Sequence, residues 1–467
     1  MNTDRQQRKH VWIIAGLLVL TLLGASMTGC NKATVSGPGS STTSGVVNST
    51  LVDVDGLLTA PTKTVTSYST EALNLGNDGY AGTPRFLDGV LYTFSERGSD
   101  QWTTAWDQSA GKKLWSVPTN ATTDVTSDEF IADGSHLFFV SWDRSSGSAP
   151  AASIVCVDKA TGATTWKYPS ASTSSFSLST FSTIAIHISK ESNTADRLYI
   201  LGEEVERSGS ATKSQEVTPK VGNPGISILD AVTGTLLGRI DWPAFSTFWG
   251  DRGQLLCDGT TLYAAIPESI EAEQPTPKSS LAAFDLTTNK MLWKESVDGE
   301  SSCLFKQGDT IIFCPNNLEV WKIGTKGATR LWTRAPEVSP SFAVDRTHVY
   351  LQGKNGSLVA LDLATGKEVW KQQFAVYRVH DYRGSDFTTL HDLYPVMTLT
   401  TTRDVLYVQD GGGLVAALDP ATGTKLWNKR ISQVDWHQTY VANMFVLQPV
   451  EKGFLVITDD GKVTLWK

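Results

Sequence analysis

Two His-Asp pairs, His380-Asp381 and His391-Asp392, stand eleven residues apart, with Arg378, Tyr382 and Tyr394 around them. Imidazole and carboxylate groups are the ligands a metal site needs, and His437 in Asp435-Trp436-His437 could add a third. The segment also reads as a polar, aromatic loop, because Tyr, Trp and Arg dominate contacts between proteins. On that reading Arg378, His380, Asp381, Tyr382, His391 and Tyr394 form a candidate partner-contact loop, and no metal is expected. His136 and His348 open short apolar segments where Val90, Thr261 and Val405 stand elsewhere, so they are assigned structural roles. The acidic stretches Glu203 to Pro219 and Pro267 to Pro277 lack the Asp-x-Asp-x-Asp-Gly spacing of a calcium loop and read as solvated loops between strands. Gly-x-Ser-x-Gly, P-loop and His-Glu-x-x-His patterns do not occur, so no catalytic residue is assigned and no enzyme is expected.

The cysteines carry a second kind of chemistry. Arg5, Arg8 and Lys9 precede an apolar run from Val11 to Leu23, which is the charged start and short hydrophobic region of a secretory signal. The following Gly24-Ala25-Ser26-Met27-Thr28-Gly29-Cys30 resembles the bacterial lipobox, with Met27 where leucine is usual. That resemblance implies cleavage before Cys30 and a diacylglycerol on its sulfur. Residues 1–29 are therefore read as a lipoprotein signal peptide and 30–58 as a flexible tether; Ala33 to Thr50 holds five Ser, four Thr and three Gly. Extended, it would reach roughly 60 Å. Of the other four cysteines, Cys303 and Cys314 flank a hairpin turning at Gly308-Asp309, and both a disulfide and two buried thiols remain open. No Cys-x-x-Cys pair supports a zinc or thioredoxin-type site.

Something must position these groups, and the chain after the tether is repetitive. With 40 Lys and Arg against 48 Asp and Glu it has no basic footprint for nucleic acid, while 39 Gly and 15 Trp suit an all-β chain of tight turns. Ala360-Leu361-Asp362-Leu363-Ala364-Thr365-Gly366-Lys367-Glu368-Val369-Trp370 recurs as Ala417 to Trp427 with Asp419, Gly423 and Trp427 in register. The frame returns at Asp107, Gly111 and Trp115, at Asp158, Gly162 and Trp166, and at Asp285 to Trp293 with Asn289 for the glycine. Asp230 and Gly234 keep the turn but lose the tryptophan to Gly238, and Lys322 to Trp332 stretches the frame by two residues. Each copy reads as strand, turn and strand: Asp bonds its own backbone two residues on and Gly takes the positive φ. Short apolar strands, several ending Leu-Tyr, occur eight times from Val90 to Leu455, about 52 residues apart.

Eight units against seven turns leave the last unit, ending at Trp466-Lys467, short of one strand. Lys63 to Ser69 alternates like a strand and is expected to complete it, closing a ring over residues 59–467 with no loose edge.

The Ala-x-Asp-x-x-Thr-Gly-x-x-x-Trp frames resemble the pyrroloquinoline-quinone-type (PQQ-like) propeller repeat, over roughly residues 60 to 467. The resemblance implies an eight-bladed β-propeller in which the repeat tryptophans dock blade to blade. Two functional settings follow from it. In quinoprotein dehydrogenases, quinone and calcium sit on the axis beside a disulfide of adjacent cysteines, which this chain lacks; a ligand-binding or quinoprotein-like module is the alternative reading, and neither PQQ nor calcium is expected. The favoured setting is similar to the family of the outer-membrane-protein assembly factor BamB: a non-catalytic lipoprotein, here expected to be a monomer bound to a bacterial membrane through the lipid on Cys30. It would face outward, on a Gram-positive surface or at the periplasmic face of an outer membrane, and hold protein partners by the loops of one face.

Overall fold

The computed structural model describes residues 51–52, 63–69, 85–87, 90–97, 100–107, 112–118, 130–143, 151–168, 176–178, 183–188, 195–206, 224–241, 253–267, 278–299, 304–314, 317–335, 342–352, 356–374, 377–380, 390–393, 398–402, 405–409, 414–430, 446–450, 453–457 and 462–466. All regular structure among them is strand.

Antiparallel strands follow one another in fours. The first sheet is Arg85–Leu87, Val90–Arg97, Asp100–Asp107 and Lys112–Pro118. The second is Phe130–Ala132, His136–Asp143, Ala151–Asp158 and Thr164–Tyr168. The third is Thr183–Ile188, Ala195–Glu206, Pro224–Asp230 and Leu236–Asp241. The fourth runs through Gln254–Asp258, Thr261–Pro267, Lys278–Asp285 and Lys290–Asp298, and the fifth through Leu304–Gln307, Thr310–Phe313, Leu318–Ile323 and Ala328–Arg334. The sixth is Phe342–Val344, His348–Gln352, Ser357–Asp362 and Glu368–Gln373; the seventh is Thr398–Thr402, Leu406–Gln409, Leu414–Leu418 and Lys425–Arg430. Val446–Val450, Gly453–Ile457 and Lys462–Trp466 make three strands of an eighth sheet, and Lys63–Ser69 pairs antiparallel with the last of them, Ser69 opposite Lys462.

Sheets buried on both faces read as continuous apolar runs rather than alternating ones, and the second strands show it. Leu137 and Phe139 pack toward the first sheet, Phe138 and Val140 toward the third. The core is accordingly divided into layers, one between each consecutive pair from the first sheet to the seventh. First strands of neighbouring sheets approach one another, as do Phe305 and Phe342, whose rings lie 5.1 Å apart edge to face. The fourth strands are edge strands.

Strand direction sorts the connections. In the first seven sheets, links between first and second strands and between third and fourth fall at one end; links between second and third strands and those to the next sheet fall at the other, and the longest are among these.

Three departures from the sequence reading stand out. The second strand of the third sheet runs to Glu206, so Glu203 to Glu206 is strand rather than loop, and Phe176–Leu178 pairs with Glu204–Glu206 and Ala152, fusing the second and third sheets. Leu51–Val52, inside the expected tether, pairs parallel with Thr401 and Thr402. Tyr377–His380 and Leu390–Leu393 form a hairpin between the sixth and seventh sheets.

The candidate binding framework and its inter-sheet joints

At the turn between the third and fourth strands of the second, third and sixth sheets, aspartate organises the backbone. Asp158 Oδ1 accepts from the Thr161 amide at 2.8 Å and its hydroxyl at 2.7 Å; Asp362 does the same with Thr365, and Asp230 with Thr233. These bonds hold the carboxyls of Asp158 and Asp362 below the ordinary range, the threonine hydroxyl being the largest cause. Gly162, Gly234, Gly366 and Gly423 then take φ of 69 to 72°.

These glycines do a second job. The indole of the preceding sheet lies flat on each: a Cβ would meet the Trp115 ring at 2.7 Å from Gly162, Trp166 at 2.6 Å from Gly234, Trp332 at 2.7 Å from Gly366 and Trp370 at 2.6 Å from Gly423. The indole N–H finishes the joint by donating to the carbonyl one residue past the aspartate. The bonds are Trp115 to Lys159 (2.9 Å), Trp166 to Ala231 (3.0 Å), Trp332 to Leu363 (2.9 Å) and Trp370 to Pro420 (2.8 Å). The recurring tyrosines and their Phe138 counterpart support the tryptophan from its own sheet, with Tyr92–Trp115, Phe138–Trp166, Tyr263–Trp293, Tyr350–Trp370 and Tyr407–Trp427 centroids 5.8 to 6.3 Å apart. A register shift in the fourth strand just before each tryptophan turns the ring toward the neighbour.

The joint between the third and fourth sheets is built differently. Gly238 stands in the tryptophan's register, opposite Ile228, and space opens where its Cβ would be. Asn289, at φ 55°, replaces the glycine on the facing turn, where no indole requires a bare Cα. The carbonyl that an indole would reach, Leu286 O, instead accepts from Arg197 Nη1 at 2.7 Å. Arg197 was not singled out in the sequence, because it lies in the second strand, 89 residues from its acceptor.

The joint between the fourth and fifth sheets, whose turn has lost its aspartate, carries a buried ion pair: Lys306 Nζ lies 2.5 Å from Asp258 Oδ2 and donates to the Gly308 carbonyl. Its ammonium stands 5.8 Å from the Tyr263 ring, which in turn packs on Trp293. Within the fifth sheet, buried Glu319 accepts from Trp321 Nε1 (2.9 Å) and Arg330 Nη1 (3.1 Å). At the sixth, Asp345 Oδ2 accepts from Tyr350 Oη at 2.5 Å and approaches His348 Nδ1 at 3.5 Å, while Oδ1 caps the Thr347 and His348 amides. Burial, with Asp345 beside it, pushes the Tyr350 phenol far up. His136 has the equivalent partner, Asp133 Oδ2 at 3.2 Å.

Several expected positions can be placed only in part. In the hairpin Val379 opposes His391 and His380 opposes Leu390, so the register does not pair the two histidines, and Arg378 opposes Asp392. Asp381, Tyr382, Tyr394, His437, Gly111, Cys303 and Cys30 lie outside the described residues, and with them the Cys303–Cys314 pairing; Cys314 itself is buried. Burial lifts the Cys156 thiol to about 12, where it is no nucleophile. Among the described residues no group of three or more His, Cys, Asp or Glu could hold a metal ion, and no helix is long and apolar enough to cross a membrane.

A repeat that spends its aspartates, glycines and tryptophans on docking sheet to sheet defines the class: an all-β protein of PQQ-like propeller repeats. The model of the family described as outer membrane protein assembly factor BamB matches residues 223–381 and again 319–466, more than half of the chain, and the chain belongs to that family. BamB of Kangiella koreensis is 33% identical over a segment that is 21% of this chain and 28% of the relative, so the match spans less than a third of that relative's length. Among solved structures, BamB from Moraxella catarrhalis aligns over 88% of this chain and 98% of its own at 15% identity and a TM-score of 0.48. Quinohemoprotein alcohol dehydrogenase from Comamonas testosteroni aligns over 83% of this chain and 76% of its own at 13% identity and a TM-score of 0.46.

Proposed function

We propose that the chain is a non-catalytic scaffold: eight four-stranded blades closed into a ring by Lys63–Ser69, anchored to a membrane by lipid on Cys30, with protein partners held on one face. Membership of the BamB family carries this reading. Two features support it. The repeat residues whose side chains are placed serve the joints, and the longer connections, including the hairpin with Arg378, His380 and His391, gather at one end of the sheets. Solvated long loops on a rigid framework are where contacts with partners concentrate. The family's printed description makes outer-membrane-protein assembly machinery the first partner to test, and on this reading the ring stands at the periplasmic face of an outer membrane.

Chemical cross-linking in intact cells followed by recovery of the tagged full-length protein should yield an envelope protein whose capture falls when Arg378 and Tyr382 are changed to alanine. Recovery of nothing above background would count against a scaffold. Dye reduction by the purified protein with pyrroloquinoline quinone, calcium and an alcohol would replace it with the quinoprotein reading.

A further inference from the structure

We propose that Leu51–Val52 is a releasable strap, and that the sheet edge it holds takes an extended, uncharged peptide segment of a protein partner when the strap leaves. Among the described strands, Thr398–Thr402 is the only first strand paired on both sides. Leu406–Gln409 runs antiparallel along one side and Leu51–Val52 parallel along the other, with Leu51 opposite Thr401 and Val52 opposite Thr402. An extended segment therefore already sits where a partner's strand would lie, and it sets direction and register. In the closed-ring reading this edge borders the axis; the proposal rests on that reading for the location alone.

The edge has room for more than the strap. Leu51–Val52 covers only the last two of its five residues, and no described strand pairs with Thr398–Thr400 on that side. In the same register a longer segment would lay three further residues beside them. The sequence Thr-Leu-Thr-Thr-Thr contains neither the charged residue nor the proline that blunts a free edge, and β-branched threonine favours the extended backbone. That neutrality also selects the partner, because a charged segment would lose hydration against the edge with no ion there to offset it.

The strap itself is weakly held. Two residues of pairing make few main-chain bonds, and parallel pairing is the less stable kind. The ten residues from Asp53 to Thr62 link it to Lys63–Ser69, the strand that pairs with the last strand of the eighth sheet. Extended, such a link spans up to roughly 36 Å, against about 20 Å across a four-stranded sheet. The strap can therefore come away while Lys63–Ser69 stays paired with Lys462–Trp466, and the main-chain groups it frees are those by which an added strand binds.

The test uses the full-length protein in detergent and a fluorescent peptide of the uncharged sequence Val46 to Val52. Leu51→Pro with Val52→Pro removes the strap's amides. Val52→Cys with Thr402→Cys, at opposed positions, locks the strap by a disulfide. Fluorescence anisotropy should show the peptide binding the proline variant at least about ten-fold more tightly than the parent, as the competent fraction rises. The locked variant should bind none until dithiothreitol returns it to the parent's level, and both variants should melt with the parent. Equal affinity in all three forms, no binding to the proline variant, or equal binding of a scrambled peptide would overturn the proposal. So would a proline variant that melts as low as a chain beginning at Glu71, since Leu51–Val52 would then belong to the closing strand. Failure of the closed-ring reading would show in the melting of that shortened chain and leave these affinity ratios unchanged.

Discussion

Glycine serves two ends in the docking turns, and the two can be separated by substitution. Gly423 needs positive φ and also lies under the Trp370 ring, whereas Gly259, at φ 56°, has open space around its absent Cβ. Alanine at Gly259 should cost only the left-handed backbone, about 1 kcal/mol. At Gly423 the methyl group must also displace an indole 2.6 Å away, raising the loss to about 3 kcal/mol. Thermal unfolding compares them; equal losses would remove the indole from the explanation. The turn aspartates predict a pH dependence. Because Thr161 and its amide lower the folded carboxyl of Asp158 beneath its unfolded value, the stabilisation is complete above the unfolded pKa and is lost as pH falls through the folded one. Asp158→Asn should therefore melt below the parent at pH 7, with the gap closing as the pH drops below about 4. These residues were legible because Asp, Gly and Trp recur at fixed spacing; Asp345, Lys306 and Glu319, whose partners come from register and neighbouring sheets, had no such signal.

Between elements, the joint of the third and fourth sheets is a compensated one. Gly238 and Asn289 read as separate lapses in the repeat, yet they fill the two corresponding places of one joint: without an indole the turn no longer needs a bare Cα, and the Leu286 carbonyl is taken up by Arg197. Sequence spacing could show the lapses but not the link, because the replacing donor comes from another strand. Arg197→Met should destabilise by about 1.5 kcal/mol, the scale of a hydrogen bond from a charged donor. Rebuilding the indole joint with Gly238→Trp and Asn289→Gly in that background should recover most of it; the same pair beside an intact Arg197 should gain little, since both donors would compete for one carbonyl. Additive effects in chemical denaturation would show the two devices to be independent. The packing there explains why the substitution is tolerated, with Ile226, Ile228, Leu255, Ala264 and Phe284 among the buried residues of that layer. The fusing strand Phe176–Leu178 escaped the sequence reading for a related reason: three residues pairing with a strand extension offer no periodicity.

For the molecule as a whole, the consequential contact is between its ends. Lys63–Ser69 pairs with Lys462–Trp466, which would otherwise present unpaired amides and carbonyls. In the closed-ring reading this pairing couples every joint, because opening any sheet-to-sheet layer must also strain the others. Fifteen tryptophans and eight short strands make the repeat visible in the chain, whereas the pairing of Lys63–Ser69 with the last strand had to be inferred from the missing eighth turn. A protein truncated to begin at Glu71 should keep its β-sheet circular dichroism, melt several degrees lower and self-associate through the exposed edge at Lys462–Trp466. A peptide spanning Thr62 to Thr70, added in excess, should restore both melting and monomeric state by strand addition, because the main-chain bonds lost on truncation can be remade in trans. A scrambled peptide of the same composition should do neither. Were the truncated protein to melt with the full chain and remain monomeric, the terminal strand would be dispensable and the sheets would have to be held by the six described layers of buried side chains alone.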